Sequence, residues 1–203
     1  MNLPLSNTPA KPVLPALSAL RSATASAHRQ LESRLDLLRA GFTRNDYSRL
    51  LQRFYGFYAA WEPEFLRLAP ADLRDFYQPR KKCPFLLRDF AFLNVDPVAI
   101  PLASDLPPLQ TEWDLLGSLY VVEGSTLGGQ VISRHLGPLL QLTPDAGLAF
   151  FNSYGSLTEE RWIAFRHLLD SDRIGGPEIE AITGSAGRTF AFLEHWLCPG
   201  EEG

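Results

Sequence analysis

The chain has 203 residues, 45% hydrophobic and 21% charged, and 19 Lys and Arg against 23 Asp and Glu give a formal charge of −4. These proportions are those of one globular domain with an adequate core, and they exclude a disordered polymer, a fibrous repeat and a strongly basic nucleic-acid binder. The two cysteines, Cys83 and Cys198, form no zinc-spaced set and suit a reducing cytoplasm.

The N-terminal stretch carries Pro4, Pro9 and Pro12 and lacks the basic-then-apolar order of a signal peptide. No uncharged run of the central segment, Leu115 to Val122 among them, approaches the ~20 residues that cross a bilayer. A cytoplasmic protein without membrane contact is expected, with tails over 1–15 and 199–203 flanking one all-α domain over 16–198.

Apolar residues recur at helical spacing almost throughout, and no alternating strand pattern stands out. A first helix is expected from Ala16 past Glu32, with Leu17, Leu20, Thr24, Ala27, Leu31 and Leu35 on one face. A second starts after Gly41, capped by Thr43 with Asp46 three residues on, and Pro63 is expected to kink or end it. Shorter helices follow over Ala71–Tyr77 and Pro84–Phe92, then a proline-rich connection from Asn94 to Pro108. A long helix runs from Glu112 to about Leu140. Thr143-Pro144-Asp145 is expected to open another through Phe151, Thr158 to cap the next, and a last one to span Pro177 to Trp196.

Two features on this frame carry chemistry. His28 lies on the apolar side of the first helix with Glu32 one turn on, close enough to hold one imidazole nitrogen. A histidine so held has its tautomer fixed and its other nitrogen free for a metal. The same spacing also suits a core histidine satisfied by its neighbour. Arg21, seven residues earlier, faces the same way about 10 Å along the axis. It could meet a carboxylate on the rim of a large flat ligand, or stand as an ordinary solvated arginine.

The second feature is Tyr120-Val-Val-Glu-Gly-Ser-Thr-Leu-Gly-Gly-Gln130, with three glycines in six residues. Inside a helix each costs about 1 kcal/mol relative to alanine. They leave a strip where something flat can approach the backbone, let the helix bend, or allow tight packing against another helix. Heme fits between two such helices: its iron takes an imidazole and its propionates need cations such as Arg21.

Leu20-Arg-Ser-Ala-Thr-Ala-Ser-Ala-His28 with Leu31-Glu32 resembles the proximal-helix motif of heme oxygenases. Tyr120 to Gln130, continued by Val131-Ile132, resembles their distal helix, especially in bacterial biliverdin-producing enzymes found beside phytochromes. The likeness extends from about Leu17 to Trp196 and includes Phe57-Tyr58-Ala59-Ala60-Trp61. It implies a single-domain, all-α fold with heme, cofactor and substrate at once, between proximal and distal helices.

In that reading His28 is the iron ligand and Glu32 its outer partner. Arg21 meets propionates, and Gly124, Gly128 and Gly129 lie over the distal face. Tyr58 and Ser125 serve the distal hydrogen-bond network, while Tyr120, Arg134 and Phe190 line the pocket. The products are biliverdin, carbon monoxide and iron. Dioxygen and an external electron donor (a ferredoxin or reductase) are required, and a phytochrome is the candidate receiver of the bilin. Gly184-Ser-Ala-Gly187 is no dinucleotide fingerprint.

One departure matters. Many members carry an aspartate directly after the glycine matching Gly124, where it orients a distal water, and here that residue is Ser125. Glu123 is adjacent in sequence but points about 160° away around the helix from Ser125. The departure keeps a non-catalytic heme carrier in view, beside a related helical fold acting on another small molecule and an interaction module with a closed core. The basic run Arg80-Lys81-Lys82 reads as a solvated loop or a dock for an acidic redox partner.

Overall fold

The computed structural model describes residues 15–199. Eight helices account for the described chain: α1 (Pro15–Leu35), α2 (Arg44–Leu68), α3 (Ala71–Tyr77), α4 (Cys83–Leu93), α5 (Glu112–Leu140), α6 (Ala149–Asn152), α7 (Thr158–Leu168) and α8 (Gly176–Leu197). Short 3-10 turns occupy Gln78–Arg80, Pro97–Ala99 and Gly155–Leu157, and no strand forms among the described residues. The expected 1–15 and 199–203 tails lie outside those residues except for Pro15, which opens α1, and Pro199.

The two longest helices begin with full capping boxes. Thr43 and Asp46 exchange hydrogen bonds at the start of α2, and Thr111 and Asp114 do the same for α5. α8 lies along both α1 and α5. Gly117 permits the close crossing: a Cβ there would collide with the Ile182 carbonyl and come within 2.8 Å of Ser185 Cβ. Trp61 ties α2 to α5 by donating to Ser118 Oγ at 2.9 Å. The core is strongly aromatic, with Phe57, Trp61, Phe65 and Tyr77 fully enclosed.

Three local expectations are corrected. α2 does not stop at Pro63 but runs to Leu68, because Trp61 and Phe65 on either side are buried and their packing offsets the one lost backbone bond. No helix starts at Thr143. Thr143 and Ala146 instead pair their backbones at 3.1 and 2.9 Å, and Gly147 at φ 92° precedes the short α6. Thr158 is the first residue of α7 rather than its cap, and its hydroxyl donates back to the Gly155 carbonyl at 2.9 Å.

Candidate active site

α1 and α5 face each other across a cavity of about 470 Å³, roofed by α8 and closed at its inner end by α6 and side chains of α2. That volume lies within the ~300–1,000 Å³ typical of small-molecule sites, and it removes the closed-core reading. The α1 wall carries Arg21, His28, Arg29 and Glu32, all exposed, so the cavity opens to solvent along this helix. His28 Nδ1 stands 3.4 Å from Glu32 Oε2, longer than an ordinary hydrogen bond. From α8 the buried Phe190 meets the imidazole edge-on, with ring centres 5.7 Å apart. The ring is thus flanked by a carboxylate and an aromatic ring, while Nε2 makes no hydrogen bond to any described residue.

The opposite wall is α5. Gly128 has open space around it, since a Cβ built there meets nothing within 4 Å. Gly124 is nearly as free, with only the Trp162 ring at 3.8 Å. Gly129 borders the cavity but is glycine for another reason: its Cβ would fall 2.7 Å from the Phe151 carbonyl oxygen, so the residue lets α5 press against α6. Tyr120 lines the wall and packs at a tilt against Trp162 and Phe165.

Ser125 is present in the wall, yet its hydroxyl donates to the Val122 carbonyl at 2.8 Å, one turn back. Tyr58 enters from α2, almost fully buried. Burial pushes its phenol well up, a hydrogen bond with Ser125 pulls against this, and Glu62 and Glu123 add to the rise. The phenol therefore keeps its proton.

Ten of the eleven residues singled out from the sequence line this one cavity. Arg134 does not. It stays exposed and folds its Nε onto the Gln130 carbonyl at 3.0 Å, capturing its own helix instead of facing inward. Three wall residues had no useful sequence signal: Arg29, on the α1 rim, Lys82, in what reads as a surface run, and Ser153, after α6.

The basic run is itself corrected. Arg80 and Lys82 are buried, so it offers neither a solvated loop nor a docking patch. Arg80 meets Glu123 Oε2 at 2.6 Å, and Lys82 meets Oε1 at 2.9 Å. Tyr154 donates to the same carboxylate at 2.7 Å, and Lys82 also contacts the Tyr154 hydroxyl. Glu62 accepts from Tyr77 and from the Lys82 backbone amide, balancing the charge count. Burial alone would raise the Glu123 carboxyl, but Lys82, then the Tyr154 hydrogen bond and Arg80, overcome it and hold the group below its ordinary value. Glu123 thus faces away from the cavity, as its angular offset from Ser125 requires.

The model of the family described as heme oxygenase matches residues 14–198. A heme oxygenase of Xanthomonas campestris pv. campestris is 32% identical over 129 residues, covering 61% of this chain and 72% of that protein. Among solved structures, the NO- and CO-bound heme oxygenase of Neisseria meningitidis superposes with a TM-score of 0.76 at 18% identity, covering 91% of each chain. The heme oxygenase of Leptospira interrogans gives 0.72 at 18% identity, over 90% of this chain and 98% of that one. No helix among the described residues is long and apolar enough to cross a membrane.

Proposed function

The chain belongs to the heme oxygenase family, and on that premise we propose that His28 of α1 takes the iron of the substrate heme while the glycine strip of α5 covers its other face. The protein is a heme-degrading enzyme, opening heme to biliverdin, carbon monoxide and iron with dioxygen and electrons from a separate reductase. One observation carries the placement. An accessible histidine on α1 faces, across the same cavity, a stretch of α5 whose Gly128 has 4 Å of open space where a side chain would stand.

The residues present fit this substrate. Heme needs an axial nitrogen, a bare opposite wall, apolar surroundings and cations for two carboxylates. His28 offers Nε2, because Glu32 lies against Nδ1 and Phe190 against the ring edge. Arg21 and Arg29 stand on the open rim with no ion pair to any described residue, free to meet propionates in bidentate fashion. Substrate heme supplies the iron that activates dioxygen. The chain positions the ring, keeps bulk away from one face and holds protons at the Tyr58 phenol. Ser125, hydrogen-bonded to Val122, contributes acceptor lone pairs rather than the charge of an aspartate. A phytochrome as receiver of the bilin, and a cytoplasmic location, belong to the same reading; the distal motif and the free Cys83 and Cys198 support them.

Titration with hemin tests the reading. A Soret band should appear, and reduction in air should convert it to a bilin spectrum. A chain that gives no Soret band would overturn the placement, and a stable band that never yields bilin would leave only heme binding.

A further inference from the structure

α6 is four residues long, too short to keep a helical form by itself, yet its Phe150 and Phe151 close the inner end of the cavity. The chain enters it from Gly147, at φ 92°, and leaves it at Ser153, whose φ of 44° and ψ of −105° strain a residue with a Cβ. What fixes its place comes from elsewhere. Asp89 of α4 is buried and accepts from the first two amides of α6, Oδ1 from Ala149 at 2.7 Å and Oδ2 from Phe150 at 2.9 Å. Tyr47 of α2 donates to the Gly147 carbonyl at 2.8 Å, and Gln130 of α5 donates to the Asn152 carbonyl at 2.7 Å. Three helices thus hold one turn of chain.

Asp89 is the costly member of that set. It makes no ion pair with any described residue, since Arg88 beside it turns to Asp145 at 3.5 Å, and a carboxylate buried without a cation is expensive. Packing two phenylalanines needs no such group. The Phe150 ring meets Phe54 and Tyr58 at 4.9 and 5.8 Å between centres, and Phe151 meets Phe54 at 5.9 Å, contacts that tolerate offset. Two bonds to consecutive amides tolerate far less. We propose that Asp89 is a positioning residue for the substrate: its grip on Ala149 and Phe150 fixes how far the two phenylalanine rings reach into the cavity. The end wall so placed sets how deep the heme seats, and with that which of its meso carbons is opened. Arg21 and Arg29 hold the ring from the rim, and Asp89 acts on it from the opposite end through α6. The inference rests on heme lying between α1 and α5.

Asp89→Asn keeps the shape but turns an amide nitrogen toward one of the two backbone donors, which then goes unpaired. In the ferric hemin complex of this variant, the minor heme-methyl NMR signals should grow about two- to tenfold relative to the major set, the range of one lost hydrogen bond. The minor bilin isomers should grow in step. Phe150→Ala shortens the wall and keeps the grip, so it should do the same. The double variant should show no more than the larger single effect, because both changes act through one contact. Tyr47→Phe removes only the neighbouring hold on Gly147 and keeps the core filled, and it should give a smaller change in the same direction. It carries the test if Asp89→Asn does not fold. Unchanged signals and isomers in Asp89→Asn, or in Tyr47→Phe where that variant stands in, would overturn the proposal with hemin still bound and leave the heme reading intact. Effects of Asp89→Asn and Phe150→Ala that simply add would overturn it as well. Failure of the parent chain to bind hemin would overturn both readings.

Discussion

On α1 the groups facing the cavity stand in solvent: His28 and Glu32 keep 52% and 62% of their side-chain surface and meet at 3.4 Å. Behind α5, Glu123 and Lys82 keep 1% each and Arg80 8%, with contacts of 2.9 and 2.6 Å. Both regions pair a carboxylate with nitrogen cations or donors, but water screens the first and not the second. The α1 wall is therefore free to adapt to what enters. The α5 wall is fixed before anything arrives, because a buried carboxylate with two cations tolerates little displacement. One wall can yield and the other is set.

The sharpest test removes the proposed iron ligand from the open wall. His28→Ala should abolish turnover and change the spectrum of the hemin complex, while the hemin-free protein melts within about 0.5 kcal/mol of the parent, as expected for a solvent-facing side chain. Bilin formation and a denaturant melt measure the two halves. Collapse of the fold would show that α1 is as constrained as α5. Next in size is Glu123→Ala, which strands Lys82 and Arg80 in the interior. The loss should be about 3–5 kcal/mol in hemin-free unfolding, the range for breaking a buried ion pair from one side. A loss below 1 kcal/mol would remove the contrast between the walls.

The glycines of α5 divide the same way within one helix. Gly129→Ala should cost about 1–3 kcal/mol of stability, since its Cβ meets the Phe151 carbonyl at 2.7 Å. Gly128→Ala meets nothing within 4 Å and should gain up to about 1 kcal/mol of helix stability, yet take up room over the ring. Stability up and hemin turnover down at 128, with stability down at 129, is the expected pattern. Equal effects at both positions would show that the strip serves packing alone.

Much of this site was legible because its signals are local. Helical spacing places His28 and Glu32 on one side of α1, and three glycines in a continuous helix are costly enough to need a reason. The glycines could not be told apart, since the reason for Gly129 is Phe151, 22 residues away, and for Gly117 it is α8. Arg80 and Lys82 were misread for the same cause. A basic run looks solvated until the partner carboxylate, more than 40 residues on, is brought to it. Ser153 left no trace in the sequence: its strain comes from Asp89 and Gln130 gripping the chain around it. Pro63 was overestimated as a breaker because the burial of Trp61 and Phe65 decides the matter.

The smallest expected effect is at Glu32. In buried metal sites, carboxylates that orient a ligating histidine are worth tenfold to a hundredfold in affinity. Here the pair is exposed, one turn apart and 3.4 Å long, so it belongs with surface helix pairs of about 0.3–0.5 kcal/mol. Glu32→Gln, which keeps an acceptor and drops the charge, should therefore weaken hemin binding by less than about threefold, from that energy. The difference should fade as ionic strength shortens the screening length below ~10 Å. Hemin titrations of parent and variant at low and high salt measure both. A salt-insensitive loss of tenfold or more would mean that substrate draws His28 and Glu32 out of water into a tight pair, so that the open wall becomes as preorganised as the closed one once heme is bound.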